Sequence, residues 1–185
     1  FMNAYILTEI TKRELDSNIL LACIAAHNDF EVMISNSDTI KNLNSKKILK
    51  KGIFHTKSLV HGEKKKKLHG KIKENGHKIT CLDEESGLIL DDLSFFCESR
   101  FNNEELSVVD RVFCWGTHDY ESLQSMYPNH KEKFILSGSP RIDILQKKLK
   151  KYWENQDDKK NILISSNFNL VNGYIETSKI IKEIE

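Results

Sequence analysis

No apolar run in this chain approaches the ~20 residues a membrane-spanning helix requires. The short stretch Ala4 to Leu7 is followed at once by Glu9, Lys12, Arg13 and Glu14, too short and too charged for a signal peptide. A cytoplasmic protein is expected. Cys23, Cys81, Cys97 and Cys114 lack CxxC spacing, so neither a zinc ribbon nor a disulfide framework is suggested, and buried reduced thiols are expected. The histidines show no HxxxH or HxH spacing, which argues against a metal site. No GxGxxG follows the first strand, and neither a P-loop nor a GxSxG elbow is present. Those absences argue against NAD-dependent, P-loop and α/β-hydrolase chemistry.

What is present suits one domain or slightly more: 185 residues, 39% of them hydrophobic, enough for a core. The net charge of +1 hides an asymmetry. Residues 41 to 78 hold thirteen lysines against Glu63 and Glu74, whereas 83 to 110 hold nine carboxylates against Arg100. The basic flank is densest at Lys64, Lys65, Lys66 and Lys67, and it suits either a solvated helix face or an anionic membrane surface. Nucleic acid is disfavoured, because no arginines and few aromatics interleave with these lysines.

Short apolar runs alternate with helical patterns. Strands are expected at Ala4 to Leu7, Glu31 to Ser35, Ile53 to His55, Lys78 to Leu82, Asp110 to Trp115 and Lys133 to Ser137. Helices are expected at Leu15 to Ala26, Asp38 to Leu43, Lys64 to Glu74, Asp119 to Met126 and after Pro140. This βαβα order predicts an α/β fold with a Rossmann-like parallel sheet and helices on both faces. In the first helix, Leu15, Ile19, Ala22, Cys23 and Ala26 form a stripe expected to pack on the sheet. The expected domain spans 1–150, a polar linker 151–160, and an incomplete second α/β unit 161–185, with a strand from Asn161 and a helix from Tyr174 to Ile184. A lone βα unit cannot bury its own core.

Candidate chemistry gathers at the carboxyl ends of the expected strands, where parallel sheets bind ligands. Asp83, Glu84 and Glu85 follow one strand; three adjacent carboxylates repel, so one with raised proton affinity would suit a base or nucleophile. An acidic loop pairing with lysines is the alternative. Arg13, Glu14 and Asp16 fall at the first strand-to-helix connection, where acids cap the helix and a cation requires an anionic partner. Trp115 and Gly116 end another strand, the indole equally suited to packing and to holding a sugar. His118 and Asp119 follow, but adjacent side chains diverge. Gly138, Pro140, Arg141 and Asp143 form a strand, Gly-Pro turn and helix start, with a helix expected to run on through Leu145 and Leu149 and Arg141 beside its amide donors.

Taken together, Arg13-Glu14-Leu15-Asp16, Leu82-Asp83-Glu84-Glu85, Trp115-Gly116, Ser137-Gly138-Ser139-Pro140-Arg141-Ile142-Asp143 and Ser166-Asn167-Phe168 resemble the motif series of the bacterial surface carbohydrate biosynthesis protein family. The resemblance covers roughly residues 4 to 172. It departs in small ways: Ser137 and Ser139 stand where Thr and Asn are usual, and Ser86 separates Glu85 from Gly87. The Gly-x-Pro-Arg-x-Asp element is shared with CDP-glycerol glycerophosphotransferases.

The resemblance implies a GT-B-like glycosyltransferase in which this chain supplies the acceptor-side domain and the beginning of the donor side, and which is inactive without the rest. The implied partners are a nucleotide sugar, as substrate and not as a cofactor, and a glycan or lipid-linked acceptor. No metal is implied, and the enzyme would sit in the cytoplasm or peripherally at the inner membrane. Asp83, Glu84 or Glu85 would be the base or nucleophile. Arg13, Glu14, Asp16, Trp115, Gly116, Gly138, Pro140, Arg141, Asp143 and Asn167 would bind substrate. A CDP-polyol phosphotransferase and a non-catalytic Rossmann-like binding module are the alternatives.

Overall fold

The structure, a computed structural model, describes residues 2–60, 62–88 and 90–152. The expected second unit, with Asn167, and most of the expected linker lie outside the described residues. Strands β1 (Met2–Leu7), β2 (Phe30–Ser35), β3 (Gly52–Thr56), β4 (Lys78–Leu82), β5 (Arg111–Cys114) and β6 (Phe134–Leu136) form one six-stranded sheet in the order β2-β1-β3-β4-β5-β6. Every neighbouring pair is parallel. The chain is thus α/β with a Rossmann-like sheet. Helices α1 (Thr11–His27), α2 (Ser37–Ser45), α3 (Glu63–Glu74), α4 (Ser94–Arg100), α5 (Asn103–Val108) and α6 (Thr117–Met126) make the crossovers, and α7 (Pro140–Asp143) follows β6. No helix among the described residues is long and apolar enough to cross a membrane.

Period-2 alternation separates the two faces of the sheet. Tyr5, Leu7, Phe54, Ile79, Cys81, Val112 and Cys114 point into the main core, where Ile40, Ile72, Cys97, Leu106 and Leu123 cover them from α2 to α6. Ala4, Ile6, Ile53, His55, Thr80 and Phe113 face the other way, toward α1 and the turn at Gly138, and line an open cavity of about 410 Å³. There His55 Nδ1 lies 2.8 Å from Thr80 Oγ1, and burial lowers the imidazole to about 4.

Three local expectations need correction. The stripe on α1 is rotated: Ile19, Cys23 and Ala26 are exposed, and the inward face is Glu14, Ser17, Asn18, Leu21 and Ala25. The polar members win that face because they satisfy the β1–α1 loop; Asn18 Nδ2 donates to Thr8 Oγ1 at 2.7 Å. Cys23 is therefore an exposed thiol, while Cys81, Cys97 and Cys114 are buried, and all four are free. The helix after Pro140 is a single turn, followed by a 3₁₀ segment, Lys147–Tyr152. Ile142 and Leu145 are more than half exposed, so no packed face extends that turn.

Candidate functional site

Strand order reverses direction between β1 and β3, so the loops after them diverge and open a crevice at the carboxyl edge. Glu14 fills it. Its side chain is 0% exposed; Oε2 accepts from the amides of Glu9 at 2.8 Å and Ile10 at 3.2 Å. Oε1 accepts from Arg13 Nη2 at 2.9 Å and from Lys57 Nζ at 3.1 Å. Lys57 also pairs with Glu9 at 2.8 Å. Burial pushes the Glu14 carboxyl up, but the Glu9 amide, the Arg13 guanidinium, the Ile10 amide and Lys57 outweigh it and hold it below its ordinary value. Arg13 has the anionic partner its position requires, and Nη1 also lies 3.9 Å from Glu85. Its buried Nε has no hydrogen-bond partner among the described residues.

The loop after β4 holds the other carboxylates. Asp83, 1% exposed, receives a fork from Arg100: Nε to Oδ2 at 3.0 Å and Nη2 to Oδ1 at 2.9 Å. The Glu85 amide donates to Oδ1 at 2.9 Å. Glu85 is half exposed and takes Arg100 Nη1 at 3.0 Å. Glu84, 8% exposed, accepts among the described residues only a long bond, 3.4 Å, from Arg141 Nη1, which donates to the Glu84 carbonyl at 2.8 Å. Burial raises both Asp83 and Glu84 above their ordinary values, Arg100 opposing at Asp83 and Arg141 at Glu84. Repulsion among the three is a minor contributor beside burial.

One indole ties this loop to the rest. Trp115 Nε1 donates to the Asp83 carbonyl at 2.9 Å, and the Arg141 guanidinium lies 5.7 Å from the ring centroid. Gly87, at φ +80°, lies against the six-membered ring of the indole: a Cβ there would meet Trp115 Cε3 at 2.6 Å. Trp115 is thus packed within the edge and braces the acidic loop. Gly138 also has a left-handed φ, +88°, and lets the chain turn from β6 toward Arg141. The turn's amides do not await a ligand as expected: the Arg141 amide donates to Ser139 Oγ at 3.3 Å, and Ile142 and Asp143 donate to the Ser139 carbonyl.

The edge therefore brings together Arg13, Glu14, Asp83, Glu84, Glu85, Trp115 and Arg141. Asp16 is exposed and joins none of these contacts; Gly116 is extended, with open space beside its Cα. Pro140 and Asp143 border the apolar cavity on the other side of the turn. His118 and Asp119 do not pair: His118 Nε2 lies 2.7 Å from the Leu90 carbonyl, and Asp119 accepts from the Gly87 amide at 3.3 Å. Lys57 and Arg100 are not among the residues the sequence points to, and Lys65 is expected there only as part of the basic flank. Lys57 directly follows β3, the same signal that singles out Asp83 after β4. Arg100 is the one cation in an acidic stretch. Lys65 donates to Ser58 Oγ and its carbonyl, and burial lowers its ammonium below the ordinary lysine range. Among the described residues no group of three or more His, Cys, Asp or Glu could hold a metal ion.

Compared with known proteins, the chain matches no family model, no curated protein and no solved structure.

Proposed function

We propose that this chain is the acceptor-side portion of a GT-B-like glycosyltransferase that builds a surface polysaccharide, capsule or lipopolysaccharide, from a nucleotide-activated sugar. The observation that carries this reading is Glu84. It is a nearly buried carboxylate with raised proton affinity, held by one long bond from Arg141, at the edge where parallel sheets bind ligands. The motif series that resembles the surface carbohydrate family supplies the reaction class.

In this reading Glu84 accepts the proton of an acceptor hydroxyl as that oxygen bonds to the anomeric carbon, while the bond from that carbon to the nucleoside diphosphate breaks. Arg13, with an unused N–H, and Arg141 stabilise the departing negative charge. Asp83, clamped by Arg100, positions the loop, and the nucleotide sugar is a substrate. Incubating the full-length protein with a panel of nucleotide sugars and acceptors, and following nucleoside diphosphate release, tests the reading. One donor is expected to turn over, and Glu84→Gln to slow it about a hundredfold or more at a melting temperature no lower than that of the wild type. Full activity in Glu84→Gln, or no turnover of any donor, would overturn it.

A further inference from the structure

The lysine-rich flank divides into two sets. Lys57 is bound by Glu9 and Glu14, Lys65 by Ser58, Lys66 by Glu104, Lys73 and Lys78 by Asp110, and Lys50 by Glu31. These lysines serve the fold. Lys46, Lys47 and Lys51, in the α2–β3 connection, have no side-chain ion-pair or hydrogen-bond partner among the described residues, and neither do Lys64, Lys67 and Lys71 on α3. The three on α3 are exposed, and their spacing puts them on one face of that helix, turned toward α2. With Lys41, Asn42 and Ser45 they line a groove of about 390 Å³ between the two helices. The groove's one carboxylate among the described residues, Asp38, is already paired with Lys41 at 3.4 Å.

Like charges three and four residues apart on a helix repel, so this row costs the free protein stability and returns it no internal contact. An anion from outside would compensate it. The form of the row says which kind. Along α3 the three charges rise about 4.5 Å and then about 6 Å, a line of charge and not a cluster around one phosphate. That step is of the order of one sugar unit in an extended glycan, and the Asn42 amide and Ser45 hydroxyl suit its hydroxyl groups. A bilayer is a poor fit, because the groove offers no exposed large apolar side chain to insert. Single-stranded nucleic acid is a poor fit as well, since the lining holds neither arginine nor an aromatic ring.

We propose that the α2–α3 groove binds a linear acidic glycan, one bearing a carboxylate on successive sugars. The proposal stands on the groove alone and does not require the carboxyl edge to transfer sugar. The test is fluorescence anisotropy of a labelled oligogalacturonate titrated with the full 185-residue chain, without any nucleotide sugar, at low and at physiological ionic strength. The chain is expected to bind the probe, more tightly at low salt. The triple variant Lys64→Gln, Lys67→Gln, Lys71→Gln should lose about tenfold or more in affinity, and the charge-matched variant Lys46→Gln, Lys47→Gln, Lys51→Gln, outside the groove, less than about twofold.

Removing the repulsion should leave the melting temperature of the groove variant unchanged or raised, which excludes unfolding as the cause of lost binding. Equal losses in the two triple variants would overturn the proposal, as would no binding by the wild type or equal binding of a neutral maltooligosaccharide. Competition by phosphatidylglycerol vesicles or single-stranded DNA at lower charge concentration than unlabelled oligogalacturonate would also overturn it.

Discussion

Glu14 and Glu84 are both buried glutamates at the same end of the same sheet, yet their proton affinities move in opposite directions. Glu14, between β1 and β3, accepts four hydrogen bonds, two from backbone amides and two from cations. Glu84, after β4, accepts one long bond among the described residues, from a partly buried arginine. Burial acts on both, so the number of donors aimed at each carboxylate decides the outcome. The first region spends its charge on holding the crevice together. The second keeps a carboxylate under-satisfied, and Glu14 itself contributes by raising Glu84 further. One edge thus contains a rigid half and a chemically available half.

The largest test breaks the rigid half. Glu14→Gln leaves the cations Arg13 and Lys57 without their buried anion, and a urea melt is expected to show a loss of about 3 kcal/mol. Next, Arg100→Met removes the fork from Asp83. Because burial already gives that carboxyl a raised proton affinity, protonation offsets part of the damage; about 2 kcal/mol is expected at neutral pH, shrinking as pH falls. That recovery in acid, followed by thermal melts, is what separates a lost ion pair from lost packing.

The smallest effect sharpens the comparison. Folded Glu84 holds its proton more tightly than the unfolded chain, so its ionisation costs stability as pH rises from the ordinary glutamate range through the raised value. Glu84→Gln should therefore be within about 0.5 kcal/mol of wild type in mild acid and relatively more stable at neutral pH. Folded Glu14 holds its proton less tightly. Its stabilisation is complete above the ordinary glutamate range and is lost as pH falls through the depressed value. Difference curves for the two variants should slope in opposite senses. Parallel curves would show that the two carboxylates are equivalent after all.

Much of this fold is legible in the chain. The apolar runs at Ala4 to Leu7 and Lys78 to Leu82 reappear as strands within a few residues, because buried parallel strands have little choice of composition, and Glu31 to Ser35 reappears as the edge strand β2. Asn75-Gly76 ends α3, with Gly76 at φ +81°, as turn chemistry predicts. Helices α4 and α5, seven and six residues long, are too short to show a helical period in the sequence. The rotated face of α1 was hidden for a different reason: polar Glu14 and Asn18 took the inward side through tertiary partners, Thr8 and Lys57, that no local pattern reports.

The candidate site divides in the same way. Residues that directly follow strands, Asp83 and Trp115 among them, could be read because topology alone sends them to one edge. Which of the three carboxylates stays under-satisfied could not, since that depends on Arg100 reaching back to Asp83 and Glu85 and leaving Glu84 to Arg141.

The indole of Trp115 has a consequence of a spectroscopic kind. The chain has two tryptophans, so Trp153→Phe leaves a single emitter with a guanidinium near its ring and its N–H on the Asp83 carbonyl. Any molecule that draws Arg141 away changes the electric field at that chromophore, and the emission wavelength shifts with it. The protein carries its own colour indicator for occupancy of the edge, readable without label, donor or turnover.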